Sequence, residues 1–156
     1  MLNLINNLKM TTFFSLSLSF AAVSQACPKV SGFIDMNCDG QIRVVFTGDS
    51  IVYGRGDYSH HNHGGYPSRV QNQFPEIKVI NFGLPGFTSA RLLRGFKHYL
   101  TRPQPPVLMR RADIVSIDVG RNDWWKGNVP PGMVVRNIQR LVKFLRDYYY
   151  DKRGTT

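Results

Sequence analysis

A chain of 156 residues, 42% hydrophobic and 19% charged, has the composition of one globular domain, which excludes a disordered or low-complexity polymer. Lysine and arginine number 20 against 10 acids, a net charge of +10, so the surface field is positive and favours anionic partners: nucleic acid, anionic lipid or acidic polysaccharide. The densest basic group, Arg136, Arg140, Lys143 and Arg146, has helical spacing and reads as a solvated helix face; no zinc-finger or RNA-binding signature accompanies it, so a nucleic-acid partner is not expected.

Residues 1–26 carry Lys9 as their single charge. An apolar stretch from Phe13 to Val23 comes next, then Ser24-Gln25-Ala26 with small residues where a signal peptidase reads. That order predicts a secretory signal peptide over 1–26 and a secreted or periplasmic protein. The apolar stretch is shorter than the roughly 20 residues of a membrane span, so no stable membrane insertion is expected once the signal is removed. Residues 27–41 form a separate N-terminal segment. Cys27 and Cys38 suit a disulfide in an oxidising compartment; the rival reading makes Cys27 a lipidated first residue, although Ser24 stands where a lipobox carries Leu or Val. Asp35-x-Asn37-x-Asp39-Gly40 has the oxygen spacing of a calcium loop, but the twelfth position is Phe46, and an Asp/Asn/Gly turn entering a strand explains the same residues.

Residues 42–47 read as a strand, short and β-branched, which Gly48-Asp49-Ser50 breaks. Residues 54–65 read as a polar loop, 66–74 as a helix ending before Pro75, and 77–80 as a second strand. Residues 81–87 are Gly- and Pro-containing loop. Thr88 or Ser89 caps a helix over 90–100, where Leu92, Leu93, Phe96 and Leu100 make one apolar stripe. Residues 113–119 are a third strand, 120–132 a loop, and Val134, Ile138, Leu141 and Leu145 mark an amphipathic helix to about Tyr149. Strands alternating with helices predict an α/β fold, three-layered, with a parallel sheet and right-handed crossovers. The three strands end at Gly48-Asp49-Ser50, at 81–86 and at 120–123. Their loops therefore share the carboxyl edge, where such sheets bind ligands.

Those three loops carry the motifs. VVFTGDS (residues 44–50), NFGLPGFTS (81–89) and Gly120-Arg121-Asn122-Asp123 resemble, in order and placement, the three first blocks of the SGNH or GDSL hydrolases, an esterase and lipase family. The resemblance covers about residues 42–125 and implies a flavodoxin-like sheet. It implies Ser50 as nucleophile, Gly86 as the oxyanion glycine and Asn122 as a second oxyanion donor. A serine hydroxyl attacks an ester carbonyl when a base takes its proton, and donors fixed around the developing anion lower the barrier. Such chemistry calls for no cofactor and no metal. The implied substrate is a small-molecule, lipid or carbohydrate ester. Asp49 reads as holding the turn, and Trp124 and Trp125 as lining the pocket or packing in the core.

The family's fourth block, Asp-x-x-His, supplies the base, and nothing after Asn122 matches it; no histidine comes after His98. Residues 42–156 are therefore read as a C-terminally incomplete domain, weakly active or inactive as it stands, with its third strand an unpaired edge. Asp57-x-x-His60 has the spacing but lies just after the nucleophile, in a loop with His61 and His63. This loop reads as solvated, neither a stand-in base nor a metal site. The alternative from a different class is a secreted, non-catalytic module that binds anionic glycan or lipid through its basic surface.

Overall fold

The computed structural model describes residues 27, 29–30, 32–57, 65–101, 103 and 111–153. The segment 1–26, read as a signal peptide, and His60, His61 and His63 lie outside the described residues.

A short antiparallel pair, β1 (Lys29–Val30) and β2 (Phe33–Ile34), opens the described chain; it was too short to leave a pattern in the sequence. Cys27 and Cys38 are joined by a disulfide that ties the start of this segment to the turn after it. Asp35 is fully buried, and its carboxylate accepts hydrogen bonds from the N–H groups of Asn37 (3.2 Å) and Gly40 (2.6 Å). Asp39 pairs instead with Arg43 and Arg111, at 2.6 and 3.2 Å. The Asp35 and Asp39 carboxylates thus face backbone amides and guanidinium groups, and the run works as a turn into the sheet.

The central sheet holds β3 (Arg43–Gly48), β4 (Lys78–Gly83) and β5 (Ile114–Asp118), in the order β4-β3-β5, with both pairings parallel. Side chains alternate across it, as the pleat requires. Val44, Phe46, Val79 and Ile114 face one side, where they pack with Val52 of α1 (Ser50–Tyr53) and with Tyr66 and Val70 of α2 (Gly65–Gln73). Phe82, Val115 and Ile117 face the other, against α3 (Ser89–Leu100) and α5 (Pro131–Arg153). The predicted stripe Leu92, Leu93, Phe96 and Leu100 is buried there with Leu141 and Leu145. Helices on both faces of a parallel sheet make the expected three layers. Among the described residues β5 pairs on one side only, and a cavity of about 1110 Å³ lies along its outer side against α5. No helix among the described residues is long and apolar enough to cross a membrane.

Beyond one-residue shifts at element ends and the unread helix α1, three differences from the sequence reading stand out. β4 continues through Asn81, Phe82 and Gly83, because these residues stay in register with Phe46, Thr47 and Gly48 of the neighbouring strand. The loop expected over 120–132 contains a helix, α4 (Arg121–Gly127), entered from Gly120 at φ 137° and closed by Asn128 in the left-handed region at φ 44°. No apolar periodicity announces a helix that short. α5 begins three residues before Val134 and reaches Arg153.

Candidate active site

The three strands β4, β3 and β5 end side by side, and glycines at those ends permit close approach of the chain beyond. A Cβ on Gly48 would run into the carbonyl oxygen of Asp118 at the end of β5 and lie 2.6 Å from Val52 of α1. A Cβ on Gly83 would run into the backbone of Tyr53. Two bare backbone positions at neighbouring strand ends therefore let α1 lie across the edge of the sheet, with Ser50 as its first residue. Asp49 caps that helix: its Oδ1 accepts from the N–H of Ile51 at 2.9 Å, and the residue is buried to 2% exposure. Asp49 holds the turn, as the sequence suggested. Asn81 adds a tether, accepting from the N–H of Gly83 at 3.0 Å and donating to the Tyr53 carbonyl at 3.5 Å.

Asn122 links all three loops. Its Nδ2 donates to the Phe87 carbonyl at 3.0 Å, next to Gly86, and to Oδ2 of Asp49 at 3.4 Å, next to Ser50. The structure so brings Ser50, Gly86 and Asn122 to one place, although each belongs to a different strand end. Gly86 has φ 80°, a conformation that side chains resist, and an ideal Cβ there would lie 2.8 Å from Nζ of Lys126.

Sequence reasoning did not find the anchor that holds Asn122 in place. The next residue, Asp123, is 1% exposed; Oδ1 accepts from the Ser89 hydroxyl at 2.6 Å and Oδ2 from the Ser89 N–H at 2.7 Å. Asn137 of α5 donates to the same hydroxyl at 3.0 Å. This buried network fastens α4 to the first turn of α3 and to α5. The signal was present as the D of GxND and the S of FTS, but sequence does not reveal which acid faces which serine.

Tyr66 adjoins the site from α2. It is hydrogen-bonded with the Ser116 side chain. Burial first, then the charges of Asp118 and Asp49, push its phenol upward from its ordinary value, so it stays neutral. Trp124 and Trp125 do not pack in the core: they are 70% and 76% exposed. An N-terminal α4 turn committed to Ser89 leaves its opposite side, where the tryptophans stand, to solvent. Trp124 also borders a cavity of about 250 Å³ with Gly120, Val129, Pro131, Val134 and Val135. His98, the one histidine among the described residues, is on α3 with its ring against Tyr99. The loop histidines considered as a stand-in base lie outside the described residues.

Comparison with solved structures finds the same architecture. The chain is similar to AlinE4, a SGNH-hydrolase family esterase (22% identity, TM-score 0.54, 69% of this chain and 54% of that one). It is similar to the psychrotrophic esterase EstA from Pseudoalteromonas sp. (23%, 0.53, 69% and 55%). It is also similar to a G-D-S-L family protein from Desulfitobacterium hafniense (28%, 0.54, 70% and 55%). The chain spans just over half the length of these solved relatives. Comparison with curated proteins returns no match. Residues 46–153, which contain Gly48-Asp49-Ser50 and the two later strand-end blocks, match one family along most of the chain, and the protein belongs to the GDSL-like lipase/acylhydrolase family.

Proposed function

We propose that this chain carries the nucleophile and oxyanion machinery of a secreted serine ester hydrolase. The observation that carries the reading is the Asn122 amide, bonded at once to the loop of Gly86 and to the cap of Ser50. In the reaction the Ser50 Oγ attacks the ester carbonyl carbon as its proton passes to a base. The carbonyl oxygen becomes an anion, which the N–H groups of Ser50 and Gly86 and the Asn122 amide receive. Collapse expels the alcohol and leaves an acyl-Ser50 that water hydrolyses. The 3.4 Å bond from Asn122 to Asp49 is long for a hydrogen bond to a carboxylate. That N–H is the one free to turn to the substrate, while the 3.0 Å bond to Phe87 keeps the side chain in position.

The base belongs to the Asp-x-x-His block that the family carries after its third block. Loss of a triad histidine costs on the order of a million-fold in kcat, so the rate of turnover rests on that base as much as on Ser50. The substrate is an acyl, lipid or carbohydrate ester. EstA, a similar structure, was solved inhibited by monoethylphosphonate, which recommends an organophosphonate probe here. The test is labelling with a fluorophosphonate and hydrolysis of p-nitrophenyl acetate by the chain and by Ser50→Ala. An adduct on Ser50, with labelling and any turnover lost in the variant, is expected. A folded sample that reacts equally with and without Ser50 would refute the assignment.

A further inference from the structure

We propose that Lys126 is the specificity residue of this site, and that it selects esters bearing an anionic group, such as a carboxylate, sulfate or phosphate, close to the scissile bond. The inference rests on the ester-hydrolase reading and adds the charge of its substrate.

Three observations meet on this residue. First, Lys126 stands one helical turn after Asn122 on α4, and residues four apart share a helix face. The face that offers the oxyanion amide therefore also offers an ammonium. Second, that ammonium reaches across to the other loop: Nζ lies 2.8 Å from where a Cβ of Gly86 would be. Glycine at position 86 leaves the space the cation occupies. A lysine in the last turn of a helix gains from the carbonyl ends of its own helix; this one is instead directed over the Gly86 loop. Third, the ammonium forms no hydrogen bond or ion pair among the described residues, and the nearest acid in sequence, Asp123, is buried with both oxygens committed to Ser89. Arg91 strengthens the same polarity, with its guanidinium 4.8 Å from the Phe87 ring centre, beside Gly86. Trp124 and Trp125 are exposed on the same short helix and serve as fluorescent reporters of its surroundings. The anion of an ester bound with its carbonyl oxygen at Gly86 would meet Lys126. The net charge of +10 draws such substrates toward the surface in general; Lys126 places one charge where discrimination occurs.

The test reads binding, so it does not depend on turnover. The fluorescence of Trp124 and Trp125 in the full chain is titrated at low salt with monomethyl succinate and with methyl pentanoate, a neutral ester of similar length. The wild type is expected to bind the charged ester about three- to fivefold more tightly, the upper range of an exposed ion pair. Added salt should shrink that preference. Lys126→Met should bring the two esters within about twofold, and Lys126→Glu should reverse the preference toward acetylcholine over monomethyl succinate. Both variants should keep the wild-type melting temperature, since the side chain is exposed. A wild type that binds neither ester, or does not distinguish them, overturns the proposal, as does a Lys126→Met variant that keeps the preference. Failure of the underlying reading looks different: Ser50 unreactive to fluorophosphonate with the charge preference intact removes the hydrolase assignment and leaves the anion site. Reactive Ser50 without the preference removes only the role of Lys126.

Discussion

Removing the Asp123 carboxylate should do more damage than removing any side chain that faces the substrate. In Asp123→Ala the Ser89 N–H and hydroxyl both lose their acceptor, 2.7 and 2.6 Å away, in a place where Asp123 and Ser89 are 1% and 2% exposed. Water cannot replace the acceptor without opening the junction of α3, α4 and α5. A buried donor left unpaired costs about 1–3 kcal/mol, and bonds to a charged group lie at the upper end. Two of them give about 3–5 kcal/mol, a large share of the roughly 5–15 kcal/mol that holds a domain folded. For a chain of this length that corresponds to a fall in melting temperature of about 10–15 °C. Asp123→Asn keeps one acceptor and the shape, and should lose about half as much. Ser89→Ala removes both the hydroxyl donor and Asn137's acceptor, and the double variant Asp123→Ala/Ser89→Ala should lose less than the sum of the singles by about 1–2 kcal/mol. The measurement is urea and thermal unfolding by far-ultraviolet circular dichroism. If Asp123→Ala unfolds within about 1 kcal/mol of wild type, or the double variant is strictly additive, the network does not join the helices in this way.

Three further outcomes come from the fold. Gly48→Ala should fail to give a folded chain, because its methyl would strike the Asp118 carbonyl and Val52 at once and overpacking against backbone costs upward of about 3 kcal/mol; a cooperative melt would contradict the close approach of α1. Cys38→Ser should cost about 2–3 kcal/mol by releasing the 11-residue closure to Cys27, and reductant should produce the same loss in the wild type but none in the variant. Asp113 accepts from the N–H groups of Arg43 (2.7 Å) and Met36 (2.8 Å), yet burial raises its carboxyl above its ordinary value, with the charges of Asp35 and Asp39 adding to the rise. It then holds its proton more tightly folded than unfolded. The stability this confers is complete below about pH 4, the unfolded carboxyl range, and is lost as pH rises through the raised folded value. The melting-temperature difference between wild type and Asp113→Asn, measured from about pH 3 to about pH 7, should therefore move against the wild type as pH increases; no change with pH would contradict a carboxyl raised by burial.

The fold was legible wherever apolar residues kept a period. Val44 and Phe46 alternate with Val45 and Thr47, and the stripe from Leu92 to Leu100 repeats at three and four, so the strand and helix of each unit could be placed. What escaped was structure held by single contacts. The seven residues of α4 contain two tryptophans, a lysine and an arginine on exposed faces, and their only buried side chain is Asp123. Such a helix has no hydrophobic signature, because it is ordered by one carboxylate received by Ser89. The extension of β4 was hidden for a related reason: Asn81 and Gly83 are poor strand formers, and only pairing with β3 makes them one. Of the candidate site, Ser50, Gly86 and Asn122 were readable as motifs at strand ends. Lys126 was not, since its relation to Gly86 exists only once α4 folds back over that loop.

The pairing of Asn122 with Asp123 explains why a site residue and its anchor are adjacent in sequence. Successive helical residues point about 100° apart, so the first turn of α4 can present an amide to the loops at one side and a carboxylate to the core at another. Any motion of Asn122 toward or away from Ser50 must then bend a backbone that Asp123 has fastened to Ser89 and, through it, to Asn137. Further along the helix, Lys126 inherits its direction from the turn that Asp123 fixes. An exposed lysine has little to hold it, so its place over Gly86 depends on a buried acid one turn earlier. Damage to Asp123 should therefore weaken the fastening of α3, α4 and α5, the setting of the Asn122 amide and the reach of Lys126 together, whereas a change at Lys126 should alter charge preference and leave the other two intact.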